Sequence, residues 1–95
     1  MAQESGILAG KRGLVMGVAN NRSIAWGIAK AAHDQGAQLA FTYQGEALEK
    51  RVRPLAENLG AFVAGHCDVT DEASMDAVFA AIEKEWGGLD FVVHC

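Results

Sequence analysis

The chain reads GLVMGVANNRSIAWG from Gly13 to Gly27. Residues 13–18 form a short apolar run, which is typical of a buried parallel strand. Gly17 stands near the end of this run, and a helical pattern begins at Ser23. A strand, a glycine and a helix start in this order predict a place where the backbone can approach a phosphate group.

The rest of the chain repeats this alternation. Further apolar runs predict strands over residues 37–43, 61–67 and 89–95, and helical spacing predicts helices over 23–35, 46–59 and 70–86. Strands that alternate with helices imply right-handed crossovers and a parallel sheet covered by helices. We therefore expect an α/β fold, the first half of a Rossmann-like doubly wound sheet. Its elements run β-α-β-α-β-α-β, its strands lie in the order 3-2-1-4, and ligand binds between the first and fourth strands.

Three local expectations accompany these elements. Thr70 is expected to cap the third helix, because a threonine hydroxyl can accept from the first free N–H groups. Pro54 either kinks the second helix or marks a restart, since proline lacks a backbone donor. The apolar positions expected to face the core are Ile24, Ile28, Ala31 and Ala32 in the first helix and Met75, Val78, Phe79 and Ile82 in the third.

Composition excludes several classes of protein. The chain has 95 residues, a net charge of −4 and two cysteines. The acidic balance argues against nucleic-acid binding, and two cysteines do not make a disulfide scaffold. No apolar run reaches the ~18 residues of a membrane helix, and no signal peptide precedes the first strand, so we expect a cytoplasmic protein without membrane association. We expect residues 1–95 to be a single dinucleotide-binding region, the N-terminal part of a longer one-domain enzyme.

The junction after the first strand has features of a dinucleotide site. At Gly17 a side chain would block the approach of the pyrophosphate. Ser23 can cap the helix or donate to phosphate, and its backbone lies at the positive helix end. Gly27 is expected to allow close packing of helix on strand. Because the spacing differs from G-x-G-x-x-G, the pattern alone leaves open a plain turn in which Ser23 is only a structural cap.

Gly17-x5-Ser23-Ile24-Ala25-x-Gly27 resembles the cofactor loop of bacterial enoyl-[acyl-carrier-protein] reductases, which belong to the short-chain dehydrogenase superfamily. The resemblance begins at Leu8 and includes LAFTYQ at 39–44, CDV at 67–69 and FVVH at 91–94. It implies hydride transfer from NADH to the β-carbon of a trans-2-enoyl thioester on acyl carrier protein, in fatty-acid elongation. It also implies a homotetramer.

The residue that closes the second strand bears on the choice of cofactor. An acid there binds the ribose 2′-hydroxyl of NAD, and a nearby Arg accommodates the 2′-phosphate of NADP. Gln44 occupies this place, and no Arg or Lys follows within the next five residues. NADH is therefore favoured, and relatives that resemble this pattern use NADH. Gln44 as a mere turn residue, with Lys50 or Arg51 folding back, remains the alternative.

Two further positions complete the expected cofactor site. Asp68 follows the third strand, where it could accept from the adenine amino group or cap the next helix; the resemblance assigns Asp68 and Val69 to adenine. Cys95 stands where the family usually has a serine, so only its backbone is expected to contact the cofactor. The expected cofactor-binding residues are Gly17, Ala19, Ser23, Ile24, Gln44, Asp68, Val69 and Cys95.

Two other groups of residues have the spacing of a known site but are not expected to form one. Tyr43 and Lys50 have the Tyr-x6-Lys spacing of the family's catalytic pair, but they lie beside the expected adenosine pocket, far from the nicotinamide. His66-Cys67 and His94-Cys95 offer at most two inward zinc ligands, because neighbours on a strand point to opposite faces. We therefore expect no metal site and no catalytic residue.

The resemblance places the catalytic Tyr and Lys on a later helix, so the 95-residue piece alone is expected to be inactive. Two alternatives stay open. The chain could belong to another short-chain dehydrogenase, or to a nucleotide-binding module without chemistry.

Overall fold

The fold was analysed in a computed structural model that describes residues 6–18, 22–68 and 70–94. Four parallel strands form one sheet in the order β3-β2-β1-β4, which confirms the predicted topology. None of the helices in these ranges is long and apolar enough to cross a membrane. The elements are β1 (Arg12–Met16), α1 (Ile24–Asp34), β2 (Gln38–Tyr43), α2 (Glu46–Leu59), β3 (Phe62–His66), α3 (Glu72–Trp86) and β4 (Phe91–His94).

The helices divide between the two faces of the sheet. Side chains of α1 and α2 share one buried cluster with Val15 of β1 and Phe41 of β2. Side chains of α3 share a second cluster with Leu14 of β1 and Ala40 of β2. The alternation along each strand sends neighbouring residues to opposite faces. The chain reverses direction across the sheet between β3 and β4, so right-handed crossovers place α3 opposite the other two helices.

The core face of α1 differs from the one expected. Ile24 is 78% exposed and Ile28 is 38% exposed, whereas Ala25 and Ala29 are buried. Ala32, which was expected in the core, is buried, but Ala31 is exposed. The helix therefore approaches the sheet through its small residues. Trp26 fills the space beside them and meets the Phe41 ring edge-on, with ring centroids 6.3 Å apart.

The role expected for Gly27 is wrong for the same reason. Gly27 is exposed, and a Cβ added to it would meet no atom within 4 Å. The alanines of α1 make the close approach instead.

The other helices resolve two expectations. Pro54 lies inside α2, which continues unbroken from Glu46 to Leu59. It lies on the exposed side, while Val52 and Ala56 face the core. The cap of α3 is Asp71, whose side chain accepts from the Ala73 N–H, so the expectation for Thr70 is wrong.

The core stripe of α3 is partly as expected. Val78 and Ile82 are each 2% exposed, and Met75 packs against the same cluster. Phe79 is 40% exposed and lies at the margin of the helix face.

The starts of the strands, which we call the amino edge, are held together by Arg12. Its guanidinium donates to Gln38 Oε1 at 2.9 Å and to the Trp86 carbonyl at 2.7 Å. The same group lies over the Trp86 ring, 5.7 Å from the centroid. The Arg12 N–H donates to Asp90 Oδ2 at 2.8 Å. One residue thus connects β1 to β2, to the end of α3 and to the segment before β4.

Gly13 explains how β1 and β4 pair so closely beside this edge. It lies opposite Phe91 in the parallel ladder. A Cβ on Gly13 would overlap the Phe91 ring, so only glycine fits there without a shift of that ring.

Candidate cofactor site

A cleft of about 270 Å³ opens at the opposite edge of the sheet, where the strands end. We call it the carboxyl-edge cleft. It lies where the strand order reverses, which is where open α/β sheets bind their ligands. The residues that line it are Met16, Gly17, Val18, Thr42, Tyr43, Gln44, Leu48, Cys67 and His94.

Gly17 forms the floor of this cleft directly after β1. Its φ is +93°, a conformation that L side chains rarely adopt. The chain can therefore leave the strand sharply, and no Cβ stands between the backbone and a ligand. Both properties suit a backbone that must lie against a pyrophosphate.

Ser23 begins α1 as expected. Its Oγ accepts from the Trp26 N–H at 3.2 Å, which satisfies one of the free donors of the first helical turn. The next residue, Ile24, is 78% exposed beside this helix start. The positive end of α1 thus lies at the same edge of the sheet as Gly17, as an anion site requires.

Gln44 lines the cleft from the end of β2. No Lys or Arg occurs among the described residues that line the cleft, so Lys50 and Arg51 do not fold back into it. The nearby Arg53 is instead paired with Glu49 at 2.6 Å on the exposed side of α2. This part of the cleft therefore offers an uncharged amide to a ribose hydroxyl and no cation to a 2′-phosphate.

Asp68 lies just after β3, next to the cleft residue Cys67. Its Oδ1 accepts from the Thr70 hydroxyl at 2.7 Å and from the Thr70 N–H at 2.9 Å. The Thr70 hydroxyl bond is the largest cause that lowers the pKa of Asp68, and the Thr70 N–H lowers it further. The carboxylate is thus ionised at neutral pH, and Thr70 holds it from just before α3.

Ser74 fixes the backbone around Asp68. The Asp68 N–H donates to Ser74 Oγ at 3.0 Å, and this hydroxyl lies 3.1 Å from the Asp68 carbonyl oxygen, to which it can donate. Burial raises the pKa of the neighbouring Cys67 thiol, which is therefore neutral at physiological pH. Hydrogen bonds to Thr70 and Ser74 thus hold both the carboxylate and the backbone of Asp68.

The structure brings together part of the expected site. Gly17 and Gln44 line one cleft, Ser23 and Ile24 open the helix at its edge, and Asp68 follows the cleft residue Cys67 without lining the cleft itself. Ala19, Val69 and Cys95 lie outside the described residues.

Seven residues that line the cleft were not among the expected cofactor-binding residues, and His66 lies next to the cleft. The seven are Met16, Val18, Thr42, Tyr43, Leu48, Cys67 and His94. Their positions at strand ends and at the start of a helix were the available signal, because these positions converge at one edge of a parallel sheet.

Comparison with known proteins bears directly on this arrangement. The sequence profile of the family described as enoyl-(acyl carrier protein) reductase matches residues 17–95. The chain belongs to this family. The match begins at Gly17, directly after β1, and includes the ends of β2, β3 and β4.

One relative is enoyl-[acyl-carrier-protein] reductase [NADH] 1 of Rhizobium meliloti (strain 1021). It is 69% identical to the present chain over 94 residues. Those residues are 99% of this chain and 35% of the relative. The enoyl-(acyl-carrier-protein) reductase of Anaplasma phagocytophilum, solved in complex with NAD, is 50% identical with a TM-score of 0.85. The match covers 93% of this chain and 34% of that one.

A third relative was solved with the other nicotinamide cofactor. The enoyl-acyl carrier protein reductase of Bacillus cereus, crystallised with NADP+ and indole naphthyridinone, is 49% identical with a TM-score of 0.89. The match covers 95% of this chain and 36% of that one. The present chain therefore spans about a third of the length of each of these relatives.

Proposed function

We propose that this chain is the N-terminal part of a longer, one-domain enzyme that reduces trans-2-enoyl thioesters of acyl carrier protein with NADH. The observation that carries the proposal is the carboxyl-edge cleft, with a positive-φ glycine at one side and an uncharged Gln44 at the other. A relative that is 69% identical is named an NADH enoyl-[acyl-carrier-protein] reductase, which supports the same activity and cofactor.

In this proposal the residues of the chain bind and orient the cofactor. Gly17 and Ala19 admit the pyrophosphate, and Ser23 and Ile24 hold it at the start of α1. Gln44 bonds a hydroxyl of the adenosine ribose. The remaining residues are Asp68 and Val69 at the adenine and the backbone of Cys95 near the end of β4.

NADH supplies the hydride that reduces the β-carbon of the enoyl thioester. The chain itself contributes position and electrostatics, since the Tyr and Lys expected to act on the substrate belong to a later helix. We therefore propose that the 95-residue piece alone is inactive. The family resemblance further supports a homotetramer in the cytoplasm, active in fatty-acid synthesis.

An activity assay that compares substrates and cofactors tests this proposal. The full-length protein is assayed with a trans-2-enoyl thioester of acyl carrier protein, with NADH and NADPH in parallel. We expect turnover with NADH and a preference for NADH of at least ~10-fold, because no Lys or Arg among the described residues lines the cleft to pair with the 2′-phosphate. The Bacillus cereus complex with NADP+ makes the NADPH arm necessary.

The other arms separate the alternatives. If the protein reduces β-ketoacyl thioesters but does not reduce the enoyl thioester, it is another short-chain dehydrogenase. Tight NADH binding without turnover of either substrate would make it a nucleotide-binding module. The 95-residue piece serves as the negative control, and turnover by that piece would contradict its predicted inactivity.

A further inference from the structure

An irregularity in β3 places one histidine beside the cofactor cleft. Phe41 pairs with Val63, but Thr42 pairs with Gly65, so Ala64 is an extra residue in the ladder between β2 and β3. Gly65 has a φ of +126°, which a residue with a side chain rarely adopts. Such a bulge redirects the side chains that follow it. As a result His66, and not Gly65, lies opposite Tyr43 at the end of β2.

His66 is held against β2 by two contacts. Its ring meets the Tyr43 ring edge-on, with centroids 6.3 Å apart and an interplanar angle of 65°. Its Nδ1 accepts the Gly45 N–H at 3.0 Å. An imidazole nitrogen that accepts a hydrogen bond carries no proton, so this contact requires Nδ1 to be unprotonated.

This bond replaces a capping interaction that the sequence of α2 does not supply. Gly45 is the N-cap of α2, and no side chain of its own caps the helix. In a capping box, a Glu or Gln three residues into the helix would accept the N-cap N–H. Leu48 holds that position here and cannot accept. His66, delivered from β3, takes over this function.

The same bond fixes Gln44. The Gly45 N–H and the Gln44 carbonyl belong to one planar peptide unit, so an acceptor for the N–H fixes the orientation of that plane. Gly45 has a φ of +89°, a conformation that L side chains rarely adopt. Gln44 is the cleft residue that faces the expected ribose.

Protonation of His66 would remove the acceptor, because both ring nitrogens of an imidazolium are donors. The acidic groups near the ring are Glu46 and Glu49 on α2, which border the same pocket, and Asp68 just before α3. Tyr43 faces the ring from β2, and Arg53 is paired with Glu49. The Gly45 N–H would then face a second donor, and the turn would lose its fixed plane.

We propose that His66 is a positioning residue that holds Gln44 in place for the adenosine ribose and that releases it when protonated. The grip on the cofactor therefore weakens as pH falls through the range in which histidine gains a proton. This inference rests on the proposed function, because it assumes that Gln44 contacts the cofactor.

The test measures the Kd for NADH between about pH 5.5 and 8, with the full-length protein and two variants. His66→Asn places a carbonyl oxygen close to the position of Nδ1 and does not titrate. His66→Leu removes the acceptor but keeps an apolar body against Tyr43. His33→Gln is the matched control, since it removes a histidine near the end of α1, at the other edge of the sheet.

We expect the affinity of the unmodified protein and of His33→Gln to fall about 5-fold to 10-fold across this range, the value of one hydrogen bond. His66→Asn should bind like the unmodified protein at pH 8 and change less than ~2-fold on acidification. His66→Leu should bind weakly at every pH. A merely structural role for His66 would weaken binding in both variants equally and leave the pH profiles parallel.

Two results overturn the inference. One is a pH profile for His66→Asn that is parallel to that of the unmodified protein, which would assign the acid sensitivity to another group such as His94. The other is a Gly45 amide resonance that does not shift as His66 titrates in the cofactor-free protein. The amide measurement needs no NADH, so failure to bind NADH at any pH would identify the proposed function as the part that failed.

Discussion

The two edges of the sheet use their polar groups differently. At the amino edge, Arg12 directs its donors at Gln38 and at the Trp86 carbonyl, and Asp90 accepts from the Arg12 backbone. At the carboxyl edge, Gly17 and Gln44 border an open cleft of about 270 Å³. The first edge joins elements of the protein to one another, whereas the second leaves space and polar groups for a ligand.

This difference separates stability from binding along a single strand. β1 begins at Arg12 and ends at Met16, so five residues connect a cross-linked edge to an open one. Changes at the amino edge should lower the free energy of unfolding and leave cofactor affinity intact. Changes at the carboxyl edge should lower affinity by more than their effect on stability explains.

The largest expected effect comes from a matched pair of glycines. Gly17 and Gly60 both have positive φ, at +93° and +64°, but Gly60 ends α2 at the amino edge. Each change to alanine should lower the free energy of unfolding by about 1–2 kcal/mol. Only Gly17→Ala should also weaken NADH binding, by at least ~10-fold, because the new Cβ faces the pyrophosphate.

Denaturant unfolding and NADH titration of the full-length variants measure both quantities. Equal affinities of Gly17→Ala and Gly60→Ala for NADH would mean that the pyrophosphate does not pass Gly17. The carboxyl edge would then not be the edge that binds the cofactor.

Arg12→Met tests the amino edge. The variant keeps an apolar chain over Trp86 but loses the donors to the Trp86 carbonyl and to Gln38. We expect the free energy of unfolding to fall by about 2–3 kcal/mol, since hydrogen bonds to charged groups are worth more than neutral ones. The Kd for NADH should not change.

Arg53→Met is the control for a lost surface charge. Arg53 is exposed and, among the described residues, forms an ion pair with Glu49 four residues earlier, so this variant should lose less than ~1 kcal/mol. Equal losses in the two variants would show that Arg12 does not cross-link the edge.

A smaller effect distinguishes two helix caps at the carboxyl edge. Ser23 caps α1 and Asp71 caps α3, each by accepting a backbone N–H. Ser23→Ala and Asp71→Ala should each lower the free energy of unfolding by about 1 kcal/mol. Only Ser23→Ala should weaken NADH binding, because the phosphates are expected at the start of α1. A decrease of equal size for Asp71→Ala would favour a purely structural cap at Ser23.

The smallest expected effect is a pH dependence at Asp68. Its pKa lies below the ordinary value of 3.8, first because of the Thr70 hydroxyl. A carboxylate with a lowered pKa stabilises the fold above that ordinary value, and this contribution is lost as pH falls through the lowered pKa. Asp68→Asn should therefore flatten the acid limb of a plot of Tm against pH.

Thr70→Val is the matched variant, since it keeps the carboxylate and removes its largest stabilising partner. Its acid limb should lie between those of the unmodified protein and Asp68→Asn. An acid limb of Thr70→Val that coincides with the unmodified one would contradict the assigned cause.

The sequence was sufficient for the topology and the placement of the cleft. Apolar runs separated by helical patterns leave few arrangements of a parallel sheet, and right-handed crossovers then determine the faces. The sequence was a poor guide to which side of α1 is buried. Hydrophobicity favoured Ile24 and Ile28, but the closeness of helix to sheet favoured the small residues Ala25 and Ala29.

The function of His66 could not be predicted from the pattern, because it depends on one extra residue in β3. Without the bulge at Ala64, the alternation of the strand would place Gly65 opposite Tyr43. Asp71 and Thr70 are a similar case: both can cap a helix, and hydrogen bonds of Thr70 to Asp68 decide between them. The position of His66 depends on its pairing with a distant strand. The choice of the α3 cap depends on hydrogen bonds that Thr70 makes to its neighbour Asp68.

The two tryptophans of the chain give each edge its own fluorophore. Trp26 lies in the first turn of α1 with Lys30 over its ring, 5.9 Å from the centroid. Trp86 ends α3 beneath Arg12 at the other edge. Single-tryptophan versions of this region therefore report separately on the ligand side and on the cross-linked side. Fluorescence emission from Trp26 would report nucleotide binding, while emission from Trp86 would report unfolding of the amino edge.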